Sequence, residues 1–400
     1  RRGRDNDGMQ ADAIETAVRS ATDDLVDLSH RIHAHPELGF EEERSAGWVG
    51  EALDAAGYAV TPGVGGLPTA LTATAGPGPL HVAICAEYDA LPGVGHACGH
   101  NLIASMAVGA AIGLAGVADD LGLRVTVFGT PAEEGGGGKI EMLDAGLFDG
   151  VHLALMAHPG PADSMEIQPL AVAHALVRYH GRTAHAAAYP EQGINAADAF
   201  TVAEVGIGLL RQHLPSHMRL HGIRTRSGDA PNIVPDLAEG RWYVRADTLA
   251  ELASVEERVW DCFRAGALAT GATLDLTMES QHYSEMVNDA DLVAAFRAHW
   301  SRLKGRPQAP VPDRGGATPM AMARASTDMG NVSLVIPSIH PYLGIDSGTA
   351  VNHQAEFAAH CATPVADAVM VDGAVALACT AAEAASDPRL RDRLLAGRGS

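Results

Sequence analysis

Cysteine is scarce in this chain. Five residues in 400, at positions 85, 98, 262, 361 and 379, are odd in number and unevenly spread. That excludes a disulfide framework and fits a reducing compartment, so a cytoplasmic location is expected. Positive charge is also short: 28 Lys and Arg stand against 49 Asp and Glu, a formal net charge of −21. A surface that negative repels phosphate backbones and anionic headgroups, so roles on nucleic acid or at a membrane surface are not expected. No run approaches the roughly 20 uninterrupted apolar residues of a membrane span. The longest candidate, residues 102–117, is short and rich in Ala and Gly, and reads as a packed helix. The first seven residues are charged and lack the apolar core of a secretion signal.

What is present is an ordinary globular composition, 47% hydrophobic and 19% charged, which excludes disorder and fibre. Four hundred residues exceed one typical core, so two domains are expected. Apolar residues at 14, 18, 21, 25, 28 and 32 form a helical stripe, and Pro36 stops it. A second amphipathic run, 40–56, ends at Gly57. Strands at 80–86, 123–128 and 151–157 then alternate with helices near 102–114 and 140–143. That grammar predicts an α/β fold with a mostly parallel sheet flanked by helices.

From residue 171 the order becomes strand 171–179, helix 196–213, strands 218–225 and 237–246, helix 249–268 and strand 272–278. This is the β-α-β-β-α-β arrangement of a ferredoxin-like α+β domain. The expected division is a catalytic domain over 11–170 and 284–390, with 171–283 inserted. The tail is read as a helix at 291–303, a strand at 332–336 and an alanine-rich helix ending near 385. Residues 306–318, rich in Pro and Gly, read as a linker.

Three polar loops follow predicted strand ends, where open α/β sheets place their sites. The first runs from Glu87-Tyr88-Asp89 to Cys98-Gly99-His100-Asn101. A thiolate and an imidazole two apart, across a glycine bend, can face one metal; a buried thiol beside a helix-capping histidine fits as well. The second holds Glu133-Glu134 before a glycine run and Lys139. Adjacent acids at an apolar strand end call for a cation, which would bind one and leave the other as a general base; a solvated turn is the bland alternative. A phosphate loop is excluded, because Ile140 follows Lys139. The third loop carries His158. His353 and His185 complete the set, and each alone is weak, but together these residues resist explanation as packing.

These stretches resemble the co-catalytic metallopeptidase family that includes aminoacylases, plant indole-acetyl-amino-acid hydrolases and p-aminobenzoyl-glutamate hydrolase. The resemblance spans residues 28–374, with His33-Ala34-His35-Pro36-Glu37-Leu38 and Phe40-Glu41-Glu42 resembling the amino-terminal signature. Within the family, Glu87-Tyr88-Asp89-Ala90-Leu91, Cys98-Gly99-His100-Asn101-Leu102, Pro231-Asn232-Ile233-Val234-Pro235 and Ser326-Thr327-Asp328-Met329-Gly330 point to one branch. That branch holds p-aminobenzoyl-glutamate hydrolase and β-alanyl-lysine-type dipeptidases. The aminoacylase-like branch usually has Asp where this chain has Asn101.

The resemblance implies a zinc-peptidase-like catalytic domain with an inserted lid, and two divalent metal ions, zinc or manganese, held by Cys98, His100, Glu134, His158 and His353. It implies Glu133 as the base activating a metal-bound water, and Asp89 as an acid that orients ligands. His185, on the lid, would stabilise the oxyanion, with Asn232 there as a substrate contact and lid closure completing the site. A homodimer paired through the lid is implied, across which His185 could act. The expected activity is hydrolysis of an amide in an N-acyl amino acid, a p-aminobenzoyl-glutamate-like conjugate or a dipeptide. The alternatives are an aminoacylase or carboxypeptidase of the same mechanism, or a metal-binding scaffold without catalysis. Arg224 and Arg226 read as balancing an acidic surface, while the facing of Arg245 depends on strand parity.

Overall fold

A computed structural model describes residues 2–305 and 325–397. The expected linker at 306–318 lies outside the described residues. The chain divides into two compact units, residues up to Gln168 together with those from Met286 on, and Pro169–Glu285.

The first unit opens with helices α1 (Arg2–Ser20), α2 (Thr22–Ala34) and α3 (Glu43–Ala55). The predicted stripe is thus two helices broken at Ala21, and Ile14, Val18, Leu25, Leu28 and Ile32 are buried as its spacing requires. Strands β1 (Ala59–Pro62), β2 (Leu71–Ala75) and β3 (Leu80–Glu87) follow, then α4 (His100–Ala115), α5 (Ala118–Leu121), β4 (Leu123–Thr130) and α6 (Gly138–Asp144). Two short strands, β5 (Leu153–Leu155) and β6 (His158–Gly160), end this part. Every residue of β3 is buried, as expected of a central strand covered on both faces.

The second unit comprises β7 (Ala171–His180), α7 (Ala196–Arg211), β8 (Arg219–Ser227), β9 (Leu237–Ala246), α8 (Leu249–Thr270) and β10 (Thr273–Met278). Its four strands pair antiparallel in the order β10-β7-β9-β8, the split βαβ pattern the sequence predicts. Alternate residues of β7 and β9, among them Ala173, Val177, Tyr179, Trp242 and Val244, pack with Phe200 of α7 and Phe263 of α8 into a separate core. Asn195 and Thr248 cap the two helices through their side-chain oxygens.

The chain then returns to the first unit with α9 (Ala290–Lys304), α10 (Met329–Val335), β11 (Ser338–Ile339), β12 (Tyr342–Gly344), α11 (Ala355–His360), α12 (Pro364–Ser386) and α13 (Pro388–Ala396). The large sheet has the order β1-β2-β4-β3-β5-β11, parallel from β4 to β11 and antiparallel at β2 and β1. Against β3 and β4 packs α4, and α12 packs on α4. The approach is close because Gly109 and Gly113 carry no side chain: a Cβ at Gly109 would stand 2.8 Å from Ala374 Cβ. By length and composition α12 could cross a membrane, but it is interrupted by Asp367, Asp372 and Glu383 and most of it is buried in this core.

One expected element is wrong. The β-branched residues of 332–336 predict a strand, but these positions belong mostly to α10. The buried positions Met329, Val332, Ser333 and Ile336 are spaced three and four apart while Val335 is exposed, so burial of one helical face overrides strand propensity. The strands of this region come later, as β11 and β12.

Candidate metal centre

The loops that carry the candidate ligands grow from the carboxyl ends of β3 and β4 and the start of β6. Between Cys98 and His100, Gly99 takes a φ of +82°, and a Cβ there would lie 2.4 Å from Pro159 Cγ. The bend and the close approach both need glycine. His100 then opens α4, and His158 opens β6 opposite Tyr342 of β12. Two non-glycine residues with positive φ flank the same pocket: Ala132 (φ 55°), just before Glu133, and His353 (φ 71°). Such backbone persists only where the surroundings enforce it, and it concentrates at functional sites.

The side chains converge. Cys98 Sγ lies 3.4 Å from His158 Nε2, and His158 Nδ1 lies 2.7 Å from the Pro159 carbonyl oxygen. Because Nδ1 donates to that carbonyl, Nε2 is left with its lone pair facing the thiol. His100 differs: Nδ1 donates to Asp89 Oδ1 at 2.9 Å, and against the effect of burial the Asp89 charge raises the ring's affinity for a second proton on Nε2, the position a cation would take. Its Nε2 faces Glu87 Oε2 at 3.5 Å, Glu134 Oε1 at 3.7 Å and Glu133 Oε2 at 3.8 Å. Asp89 spends its second oxygen on the Glu134 backbone N–H at 3.0 Å, tying the two loops together. His353 Nε2 stands 3.4 Å from Glu134 Oε2, and its backbone N–H donates to the Ala97 carbonyl at 2.8 Å.

Electrostatics make this cluster expensive as it stands. Burial, then the charges of Glu87, Glu134 and Asp328, push the Glu133 carboxyl well above the usual range. Burial likewise raises Glu134, and burial with the Glu134 charge holds the Cys98 thiol high. Burial, with His340 and His100 nearby, keeps His158 neutral and so available as a donor. For Asp89 burial opposes ionisation, but the charge and hydrogen bond of His100 outweigh it and its acidity is increased. Among the described residues, His100 Nε2, Glu134 Oε1 and Glu87 Oε2 are buried and have no hydrogen-bond partner. Unsatisfied buried atoms of that kind point to something cationic between them.

The donor set fits that reading. Ligand atoms of Cys98, His100 and His158 lie within 4.8 Å of one another, and so do those of Cys98, Glu134 and His353. The two groups share the Cys98 sulfur. A third group joins Glu87, His100 and Glu133. Thiolate, imidazole and carboxylate together suit borderline divalent ions.

Comparison with known proteins agrees. The family described as "Peptidase family M20/M25/M40" matches residues 83–382. The chain belongs to peptidase family M20. It is therefore a metallopeptidase or amidohydrolase of that family. It is similar to the Xaa-Arg dipeptidase of Mus musculus, 38% identical over 93% of this chain and 88% of the relative. It is also similar to a p-aminobenzoyl-glutamate hydrolase chain of Escherichia coli strain K12, 34% identical over 69% of this chain and 62% of the relative. A Bacillus subtilis structure described as a dinuclear metal binding peptidase from the M20 family shares the fold, with a TM-score of 0.63 and 21% identity over 89% of this chain and 98% of that one.

Other residues singled out in this M20 sequence have different places. His185 and Asn232 lie in the second unit. Their loops are paired there, with the Ala186 N–H donating to the Asn232 carbonyl at 3.0 Å. His185 is exposed, and its Nδ1 accepts from the backbone N–H of Ala187 and Ala188 at 3.3 and 3.2 Å, so Nε2 carries the proton. Arg224 pairs with Glu204 and Arg226 with Asp229, and Arg245 lies on the β9 face opposite the helices. Glu37 caps α3 by accepting from the backbone of Arg44 and Ser45. Asn101 donates to Ser29 Oγ and the Cys361 carbonyl, a structural tie between helices. Sequence reasoning missed Glu87, Lys139 and Asp328 as a buried charge cluster, and His340, whose ring packs 5.5 Å from that of His158. Glu87 and Asp328 lie inside the motif stretches, and Lys139 reads in sequence only as a candidate phosphate ligand.

Proposed function

We propose that this M20 enzyme hydrolyses the amide bond of a dipeptide or N-acyl amino acid, at a centre of two divalent ions, zinc or manganese. Cys98, His100 and His158 would hold one ion, and Cys98, Glu134 and His353 the other. The observation that carries the reading is this pair of donor groups sharing one sulfur, with Glu133 beside them and outside both. When bound, the ions polarise the scissile carbonyl and acidify the attacking water.

The chain's own residues supply the rest. Glu133 takes the water's proton and delivers it to the leaving amine; its burial and acidic neighbours raise its proton affinity toward what that transfer needs. Asp89 fixes the His100 tautomer and the Glu134 backbone, keeping both donors aimed. His185, with its proton on Nε2, is the donor proposed for the developing oxyanion, and Asn232 is proposed to hold substrate on the inserted domain acting as a lid. A homodimer paired through that domain and a cytoplasmic location complete the proposal.

For substrate, the name of the mouse relative favours dipeptides ending in a basic residue, and a net charge of −21 attracts cations. p-Aminobenzoyl-glutamate and N-acyl amino acids are the second choice. The test is to remove metal from the purified protein, restore zinc or manganese, and follow amine release from all three classes. Metal-dependent release, greatest from Xaa-Arg or Xaa-Lys dipeptides, is expected. Equal turnover with and without metal would contradict the mechanism, and turnover confined to p-aminobenzoyl-glutamate would contradict the substrate class.

A further inference from the structure

Lys139 is fully buried at the start of α6, and the reaction just described does not use it. Its Nζ lies 2.5 Å from Glu87 Oε1 and 2.7 Å from Asp328 Oδ1, and its backbone N–H donates to Asp328 Oδ2 at 3.0 Å. A cation at a helix amino end opposes the helix dipole, and taking an ammonium out of water costs several kcal/mol. Local structure therefore does not explain it; the two carboxylates do. Asp328, bonded to both the side chain and the backbone of Lys139, fixes where the ammonium sits.

The consequence falls on Glu87. With Oε1 held by Lys139, its carboxylate cannot rotate, and among the described residues Oε2 has no hydrogen-bond partner, standing 3.5 Å from His100 Nε2. Ligand atoms of Glu87, His100 and Glu133 lie within 4.8 Å of one another. Of the two donor groups, the one built on Glu134 includes a carboxylate and the one built on His100 and His158 does not.

We propose that Lys139, braced by Asp328, is a positioning residue that holds Glu87 as the carboxylate partner of the ion at the His100–His158 side of the centre. The inference rests on the two-ion reading above. Lys139 confines Glu87 to one oxygen toward the ion and offsets part of the charge of the surrounding acids.

The test uses full-length protein loaded with zinc or manganese, with the affinity of each ion measured by chelator competition and the thermal midpoint recorded. Lys139→Met leaves two buried acids unpaired and is compared with the charge-balanced pair Lys139→Met with Asp328→Asn, and with Glu87→Gln, which keeps the shape. In both comparison proteins one ion is expected to bind about 10–100-fold more weakly, the usual effect of losing a ligand's support, while the other is unchanged. The kcat should fall with little change in KM. Wild-type affinity for both ions in folded Glu87→Gln would overturn the proposal and leave Lys139 a stability element, even if the Lys139 variants fail to fold. Absence of bound ions in the wild-type protein would instead overturn the two-ion reading itself.

Discussion

At the scale of single residues, the adjacent acids divide their tasks by geometry. Glu134 meets His353 and stands in a donor group with Cys98, whereas Glu133 lies in neither group that contains the sulfur. Glu133→Gln should therefore lower kcat by roughly 10²–10⁴, the range of general-base catalysis, and leave metal content at the wild-type level; retained turnover would remove it as the base. A second prediction concerns protons. Burial, then the nearby Arg245, His282 and His221, lower the His174 pKa from 6.5 to about 4. The folded state thus keeps this ring neutral while the unfolded chain protonates it below pH 6.5. Its contribution is complete above that pH and is lost as pH falls through about 4. His174→Gln should gain stability relative to wild type between pH 7 and pH 4, on the order of 3 kcal/mol. Urea midpoints of both proteins across that window measure it, and a constant difference would refute it.

The scale of elements shows what a sequence carries and what it hides. Cys98, Gly99 and His100 are legible because one bend brings them together, and Glu133-Glu134 because two acids end an apolar strand. Helix α10 is not legible, because Val332, Val335 and Ile336 carry strand propensity while the alternation of burial that decides the matter is set by tertiary packing. Strands β1 and β2 escape notice too: they are short and sit at the antiparallel edge of the sheet. Lys139 and Asp328 are 189 positions apart, so no local spacing announces their pairing. The glycines of α4 read in sequence only as composition, but they set how near α12 can come. Gly109→Ala places a methyl 2.8 Å from Ala374 Cβ. Overpacking costs about 1–3 kcal/mol against about 1 kcal/mol gained in helix propensity. The denaturation midpoint should fall; a rise would mean that α4 and α12 can separate without penalty.

For the molecule as a whole, an α/β unit supplies every donor proposed for the metals, and an α+β unit supplies the donor proposed for the oxyanion. In the proposed centre one sulfur serves both ions. This sharing is tested most directly by counting ions bound per chain, by elemental mass spectrometry, in wild type, His158→Ala and Cys98→Ala. His158 belongs to one donor group and Cys98 to both. About two ions are expected in the wild type, about one in His158→Ala, and fewer than about one in Cys98→Ala, as loss of a shared ligand weakens both sites. Two ions retained in Cys98→Ala would contradict the sharing.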